Sequence, residues 1–407
     1  MEKQNKSELN RRHFIQGVGV GAAMGAFGVG GSELFAKGND LPGDVGKQKI
    51  KTGKSDIWQP FSTRKVRVGI AGYGFCKFGA QFFYQNHPNI DVVAATDLDP
   101  VRCVALAKAV GAKKTYPSCE EMIKDKSIEA IYIATDSPSH ARLAIMALNH
   151  DKHVVTAVPA VWGFNAEEDA QKLFAAVKKI GKKYMMNETS SFHDYTHTKR
   201  LQYQAGMLGK LIYSEGENYQ DNAGKLGGYN PKNGKIDKNG WRKGLVPMWY
   251  ATHATAFYVS VSGGRLTDVS CLGADSIYPE FQPGGNDYNN PFGTEVALFK
   301  TSEGGMSRMT IGWDMKNANS EKGRVYGRKW IHKKINSKRP PLPPGVQGGA
   351  HGGSHGHLTN NFIESILLDK KTIVDISDAL NMTMSGVIAH KSALKDGEWM
   401  KVPQYDL

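Results

Sequence analysis

Residues 65–74 read Lys-Val-Arg-Val-Gly-Ile-Ala-Gly-Tyr-Gly, and a helical pattern follows them. This β-type run leads into Gly72 and Gly74, which allow a tight turn and let a pyrophosphate approach the N-terminus of the next helix. A third glycine is usual three residues after the second, but Lys77 stands there. Either Gly79 supplies the close contact between helix and strand, or Lys77 lengthens the turn and reaches toward phosphate. The stretch therefore predicts a dinucleotide site.

A second apolar run follows at 90–96 and ends at Asp97, 25 residues after Gly72. An acid at this place contacts the ribose hydroxyls, and it favours NAD over NADP because a carboxylate repels a 2′-phosphate. Arg102 lies close enough in sequence to weaken that preference. We expect NAD to be bound by the turn and this acid, namely Gly72, Tyr73, Gly74, Phe75 and Asp97.

The composition is that of a globular protein with room for two domains: 407 residues, of which 40% are hydrophobic. The net charge of +13 comes from scattered lysines such as Lys178-Lys179 and Lys333-Lys334. Because no aromatic residues interleave a basic motif, a solvated surface is favoured and no nucleic-acid partner is expected. An anionic substrate or an anionic cell-surface polymer is compatible with this charge.

The N-terminus resembles a twin-arginine export signal, which is recognised by an exporter of folded proteins. Arg11-Arg12 precede a Gly/Ala/Val-rich run at 17–31, with Ala36 a candidate small residue at cleavage. The run is too short and too rich in glycine for a stable membrane span. Residues 1–36 thus predict a periplasmic or otherwise exported protein that folds around NAD and retains it, with an uncleaved, membrane-tethered form as the alternative. Residues 37–63 predict a linker or surface arm.

Strand and helix patterns alternate over residues 64–190, which is typical of a doubly wound parallel sheet. After Asp97, helical patterns at 100–110, 119–126, 141–149 and 166–180 are interleaved with strand patterns at 128–134, 152–156 and 183–187. We predict an α/β chain in which this Rossmann domain precedes an α+β domain over 191–407.

The second domain is predicted to contain a mostly antiparallel open sheet, because its patterns alternate with a period of two. The strand-like runs are 212–219, 267–273, 295–300 and 306–312, and helical patterns follow at 354–368 and 378–391.

Four stretches of the first domain resemble the Gfo/Idh/MocA oxidoreductases. They are a strand ending in Thr135-x-x-Pro-x-His140, a strand reading Lys-His-Val-Val at 152–155, a loop at 158–160, and a strand ending in Asn187-Glu188. The likeness runs from about Arg64 to the C-terminus and makes a sheet-to-sheet homo-oligomer the expected assembly. Topology places Thr135, His140 and Asn187 near the cofactor, although a structural loop role suits His140 equally well.

One departure from that family concerns the loop that normally reads Glu-Lys-Pro, whose lysine contacts substrate and assists hydride transfer. This chain reads Ala157-Val158-Pro159 there, so the lysine is absent. The NAD-dependent glycosidases of glycoside hydrolase family 109, a branch of the same superfamily, also lack it. The chain resembles them at Glu188, Tyr219-Gln220, Tyr250-Ala-Thr-His253 and Gly349-Ala-His351-Gly-Gly353, but has Asp221 where they have histidine.

Hydride transfer at a sugar carbon needs a base that takes the hydroxyl proton. His253 is the candidate by residue type, and Tyr250 shares its face if 247–260 is helical; a structural histidine is the alternative. Glu188 and His351 complete the expected catalytic set. The candidate sugar contacts, chosen because aromatic faces stack on pyranose rings and charged groups bind hydroxyls, are Tyr219, Asp221, Trp241 and Arg242.

His351, His355 and His357 lie among glycines, in a segment that would bring imidazoles to a metal or another ligand. Neither cysteine nor a nearby acid completes a ligand set, and the resemblance implies no metal, so we predict none. The four cysteines have no metal spacing and are expected to be buried free thiols; they are Cys76, Cys103, Cys119 and Cys271.

The leading hypothesis is an exported enzyme with retained NAD that removes a hydride from a ring carbon, C3 in the resembling glycosidases, of a sugar or glycoside. The alternative is a glycosidase of the family 109 type, in which oxidation is followed by elimination, hydration and reduction. A second alternative, prompted by the absent lysine, is a non-catalytic protein that binds sugar or NAD.

Overall fold

The computed structural model describes residues 57–223, 228, 230 and 232–407. The predicted export signal at 1–36 and most of the predicted arm, 37–56, lie outside these residues. The described chain holds two six-stranded sheets. This arrangement confirms the predicted fold class, while the predicted domain boundary at 190 stays a prediction.

The first sheet is parallel, with the strand order β3-β2-β1-β4-β5-β6. Its strands have three to seven residues, and the central ones are apolar runs buried on both faces, as parallel strands under crossover helices must be. The edge strand β3 is polar and not buried. They are β1 Val66–Ala71, β2 Ile90–Thr96, β3 Lys114–Tyr116, β4 Ala130–Ile133, β5 His153–Thr156 and β6 Tyr184–Met186. The helices between them are α1 Phe78–Gln81, α2 Pro100–Val110, α3 Cys119–Ile123, α4 His140–Asn149 and α5 Ala166–Ile180.

The second sheet has the order β11-β7-β10-β9-β8-β12 and is antiparallel except where β10 runs parallel to β7. Its strands are β7 Leu211–Gln220, β8 Leu266–Asp275, β9 Phe292–Thr301, β10 Met306–Gly312, β11 Asn319–Gly327 and β12 Met400–Lys401. This half of the chain also has four helices, of which α7 and α9 pack on the sheet: α6 Asp194–Gln204, α7 Thr252–Ser262, α8 His355–Leu367 and α9 Ile376–Ala393. The predicted mostly antiparallel sheet is thus confirmed.

Helix α7 lies against the middle of β7, and every residue of it is buried. The close approach depends on Gly216, since a Cβ there would lie 2.2 Å from the carbonyl oxygen of Ala254. The helix starts later than the predicted 247–260, because residues 248–250 form a separate 3₁₀ turn before it. This packing fixes the position of His253, one residue into the helix.

Several elements differ from the sequence prediction. The helix after the glycine turn, α1, has only four residues, and α3 ends at Ile123 rather than 126. Strand β11 and helix α6 were not predicted; β11 lacks an apolar alternation, since Val325 is its one buried residue. Of the expected buried thiols, Cys103, Cys119 and Cys271 are confirmed as buried and unpaired, whereas Cys76 is unpaired but exposed. Among the described residues, none of the helices combines the length and apolar character that crossing a membrane requires.

Candidate active site

The glycine turn brings the ends of β1 and β4 into direct contact. Gly72 has φ +104°, and a Cβ on it would lie 2.2 Å from the carbonyl oxygen of Ala134. A Cβ on Gly79 would lie 2.4 Å from the carbonyl oxygen of Gly72, so the prediction that Gly79 makes the close contact between helix and strand is confirmed. Lys77 has a left-handed backbone with φ 49° and directly precedes α1. The turn therefore has no room for side chains at the two glycines.

Asp97 stabilises this turn from the end of β2. Its Oδ2 accepts a hydrogen bond of 2.7 Å from the Tyr73 backbone N–H, and its Oδ1 lies 2.8 Å from Arg102 Nη2. The guanidinium partly neutralises the carboxylate, so its repulsion of a 2′-phosphate is weaker than that of an isolated acid. The predicted effect of Arg102 on cofactor preference thus has a structural basis.

A groove of about 500 Å³ opens along the turn and has the size of a cofactor pocket. Its walls come from the ends of β1, β2 and β4 and from six residues of the second half of the chain, numbers 228, 230, 232, 234, 241 and 242. Of the predicted site residues it is lined by Gly72, Gly74, Phe75, Asp97, Thr135, Trp241 and Arg242. Backbone that admits no Cβ at the turn, together with an acid at the next strand end, fits a dinucleotide.

Three residues predicted to bind cofactor do not line this groove, and one of them, Asn187, lines the inner cavity instead. Tyr73 instead contributes its backbone N–H to Asp97. His140 is 1% exposed, and its ring nitrogens lie 2.9 Å from the Pro159 carbonyl and 3.4 Å from the Thr135 carbonyl. Burial lowers the pKa of His140. The geometry therefore favours the structural role, in which His140 ties the end of β4 to the loop of Pro159.

A smaller cavity of about 120 Å³ adjoins the groove and shares Cys76, Phe78 and Arg242 with it. The predicted residues Asn187, Tyr250, His253 and His351 line this inner cavity, although they come from three separate segments. The fold thus joins a nucleotide groove to a polar cavity that contains two imidazoles.

His253 is held by carboxylates on its Nδ1 side. Nδ1 lies 2.9 Å from Glu188 Oε1 and 3.6 Å from Glu321 Oε1, and the Glu188 side chain is wholly buried. Burial alone would lower the pKa of His253, but Glu188 and then Glu321 outweigh it and raise that pKa to about 9. At neutral pH His253 is therefore an imidazolium, and Nε2 is the nitrogen available to a ligand in the cavity.

His351 lies parallel to His253, with ring centroids 6.1 Å apart and planes at 10°. Its Nδ1 is 3.0 Å from Glu321 Oε2, and its backbone has φ 48°, which is left-handed and uncommon for residues other than glycine. Arg339 fixes the same loop by donating to the carbonyl of Gly353 at 2.9 Å. Strain held in this way is typical of residues placed for function.

The other two histidines of this segment do not line the cavity. His355 is 1% exposed, stacks on Phe82 at 4.2 Å and has its pKa lowered to about 4 by burial. Burial also lowers the pKa of His357, to about 3. Both are therefore neutral packing residues at physiological pH.

Tyr250 completes the cavity wall beside His253, at a ring distance of 5.6 Å. Burial raises the pKa of Tyr250, against the smaller opposing effect of Arg242. The side chain is therefore a neutral phenol that donates a hydrogen bond, and it is a weaker candidate for a base than its position in the sequence suggested.

Two predicted sugar contacts, Tyr219 and Asp221, do not line the cavity, and Asp221 pairs with Lys316 at 3.2 Å. Their neighbours Gln220 and Asn222 line it instead, because alternate residues of an extended chain face opposite sides. Trp241 lies in the outer groove and Arg242 at the junction. Sequence reasoning also missed the cavity residue Trp313 and the acid Glu321.

The donor atoms of Glu188, His253 and Glu321 lie within 4.8 Å of one another, a spacing that would suit a cation. Glu188 Oε2 is buried and has no hydrogen-bond partner among the described residues. A cation would compete with the His253 proton, since both need Nδ1. The absence of a metal stays a prediction.

Comparison with known proteins places the first domain in a family. A family model described as "Oxidoreductase family, NAD-binding Rossmann fold", GFO_IDH_MocA, matches residues 66–188. The domain belongs to the Gfo/Idh/MocA oxidoreductase family. Its cofactor is thus NAD, which agrees with the glycine turn and with Asp97 at the end of β2.

Curated relatives of this chain include glycosyl hydrolase family 109 proteins. Family 109 protein 1 of Bacteroides fragilis is 31% identical over 198 residues, which are 46% of this chain and 41% of the relative. Family 109 protein 4 of Phocaeicola vulgatus is 30% identical over 232 residues, 52% of this chain and 43% of the relative. The chain thus spans less than half of the length of these relatives.

Solved structures with the same fold include two dehydrogenases. Levoglucosan dehydrogenase in complex with NADH and levoglucosan has a TM-score of 0.66 at 14% identity, covering 84% of this chain and 100% of that one. Scyllo-inositol dehydrogenase of Lactobacillus casei with bound NAD(H) and scyllo-inositol has a TM-score of 0.64 at 16% identity, covering 83% and 99%. These likenesses show the fold.

The substitution Gly72→Ala is expected to abolish NAD binding, because the new methyl group would lie 2.2 Å from a backbone oxygen in a backbone of φ +104°. The control is Gly111→Ala, which has φ +69° but nothing within 4 Å of its Cβ. NAD per protein, measured by mass spectrometry after denaturation, should fall to background in the first variant alone. Full occupancy in Gly72→Ala would contradict the assignment of the groove.

Proposed function

We propose that the chain is an exported NAD(H)-dependent oxidoreductase that acts on a sugar or glycoside by hydride transfer at a ring carbon. The observation that carries this proposal is the junction of the two cavities through Cys76, Phe78 and Arg242. A substrate in the inner cavity would meet a cofactor in the outer groove at this junction. The predicted export signal, which lies outside the described residues, supplies the proposed location.

His253 has the position and chemistry to handle the substrate proton. NAD, when bound, supplies the hydride acceptor for the carbon that is oxidised. His253 accepts the hydroxyl proton on Nε2 in its neutral form, and as an imidazolium it donates that proton back to a carbonyl oxygen. Each oxidation therefore moves one hydride and one proton and leaves a ketone.

The loop that carries a lysine in many members of the family has no proton-transfer group in this chain. Val158 is an apolar cavity wall, 7% exposed, and Ala157 beside it has only a methyl group. Proton handling then falls to His253, supported by Glu188, with His351 and the Tyr250 phenol as hydrogen-bond partners of the sugar. In this proposal His253 takes over the proton transfer that the lysine assists in those family members.

Hydrolysis of a glycoside is the second candidate function, and the family 109 relatives favour it. Oxidation at C3 would make the C2 hydrogen acidic, and its removal would expel the anomeric group. Water would then add, and return of the hydride would restore the sugar. Because burial keeps Tyr250 protonated, neutral His253 is the better base for that elimination.

Aryl glycosides incubated with the purified protein, without added acceptor, separate the candidates. Oxidoreduction predicts conversion of the glycoside to its keto form without release of phenol, and a turnover that depends on a sugar or external acceptor to reoxidise the cofactor. Release of phenol with no net NADH would instead support hydrolysis. A cofactor absorbance that responds to none of the sugars, with every glycan unchanged, would support a non-catalytic binder and contradict both enzymatic proposals.

The pH dependence should follow the titration of His253. Because its pKa is raised to about 9, sugar oxidation should speed up as the pH rises toward about 9, while ketone reduction should be constant below that pH and slow above it. His253→Gln should remove both trends and lower kcat by about 10²- to 10⁴-fold. The control is His150→Gln, at an exposed histidine that directly follows α4. Opposite or absent pH trends in the unmodified protein would contradict this role.

The chain is also proposed to form a homo-oligomer through the outer face of its second sheet. That face presents apolar side chains on three neighbouring strands: Leu272, Val296, Leu298 and Met306 are 39–61% exposed. A sheet face of this character is commonly covered by a second subunit.

Leu298→Glu is expected to reduce the solution mass to that of one chain, because it buries a carboxylate in the proposed interface. Val104→Glu, at a 67% exposed position on α2, is the control and should not alter the assembly. Light scattering coupled to size exclusion measures both masses. A single-chain mass for the unmodified protein would refute the interface.

A further inference from the structure

Glu321 contacts three histidines that come from three different segments. Its Oε2 lies 3.0 Å from His351 Nδ1, and its Oε1 lies 3.6 Å from His253 Nδ1 and 3.3 Å from His193 Nε2. Ser190 donates a hydrogen bond of 2.5 Å to the same Oε1. A single carboxylate from the second sheet thus reaches both imidazoles of the inner cavity.

In this contact Glu321 is negatively charged, whereas His193 is neutral. Burial would raise the pKa of Glu321, but His253, His351 and His193 together hold it well below its usual range, so the carboxylate stays ionised. Burial lowers the pKa of His193, which therefore remains neutral at physiological pH. The negative charge of Glu321 is thus directed at the two cavity histidines.

Glu188 and Glu321 have different roles around His253. Glu188, which follows the last strand of the Rossmann domain, is the closer carboxylate, with its Oε1 2.9 Å from His253 Nδ1. It therefore fixes which nitrogen of the His253 ring faces the cavity. Glu321 is the carboxylate that contacts both His253 and His351, whose rings are stacked at 6.1 Å. Two positively charged imidazolium rings at this distance would repel each other. The carboxylate of Glu321, which contacts both rings, reduces that repulsion.

We propose that Glu321 is a positioning residue: its carboxylate holds His253 and His351 in their stacked arrangement and supplies the negative charge that keeps a proton on His253. This inference rests on the proposed function for its catalytic consequence. The effect on the His253 proton is a property of the protein itself and holds whether or not a sugar is turned over.

Glu321→Gln tests this role because it keeps the shape of the side chain and removes its charge. The matched control is Glu217→Gln on the neighbouring strand β7, where the carboxylate accepts a hydrogen bond of 2.6 Å from Ser320. The proton on His253 is followed by NMR of the NAD-loaded protein carrying labelled histidine, with the signal assigned by its loss in His253→Gln.

The titration midpoint of His253 should fall by about one to three pH units in Glu321→Gln, the size of shift expected from an opposite charge at this distance. In the oxidation assay above about pH 9, where His253 is neutral in both proteins, kcat should fall by about 10- to 100-fold because the base is weaker and less well positioned, with a smaller change in KM. The rise of oxidation with pH should begin at a lower pH in the variant, because its His253 loses the proton earlier. The control variant should retain both the midpoint and kcat.

Glu321→Asp provides a second variant if the Gln variant does not fold. It keeps the charge but withdraws the carboxylate by one methylene, so the midpoint of His253 should move less than in the Gln variant while kcat still falls. A His253 midpoint that is unchanged in the Gln variant, or near 6.5 in the unmodified protein, would overturn the proposal. If the midpoint shifts but no sugar reacts in the unmodified protein, the positioning role stands and the proposed function fails.

Discussion

The contact between Glu188 and His253 joins the two halves of this protein. Glu188 follows the last strand of the parallel sheet and is wholly buried, whereas His253 lies one residue into α7 of the second domain, 2.9 Å away. A charged pair removed from water is costly unless its remaining groups are also satisfied. Thr189 and Glu321 lie on the same side of the imidazole, at 3.4 and 3.6 Å. The cost of burial is thus offset by a local network, and that network orients the catalytic candidate.

The shape of the backbone provides the other half of the site. At Gly72 and Gly79 the chain approaches itself so closely that a methyl group would overlap backbone atoms. At Gly216 the same constraint lets α7 lie directly on β7 and places His253 at the cavity. Close backbone packing therefore positions both the groove for the nucleotide and the imidazole that adjoins it.

Sequence patterns predicted the Rossmann domain well, because glycine spacing, buried strands and the acid at Asp97 are local signals. They also identified Tyr250, His253 and His351, which the fold brings together in one cavity. They failed for Glu321, because β11 is a polar strand with one buried residue and offers no periodic signal. They placed Tyr219 and Asp221 at the cavity in place of Gln220 and Asn222, since facing direction depends on register that a short motif does not determine. The roles of all these residues stay proposals.

The central claim is that the nicotinamide end of the cofactor lies where the outer groove meets the cavity of His253. A crystal structure of the protein with its bound NAD tests that claim most directly. We expect the nicotinamide ring beside Cys76, Phe78 and Arg242, with its reactive carbon facing the cavity that His253 and His351 line. A nucleotide bound elsewhere, or a nicotinamide ring turned away from that cavity, would contradict the account.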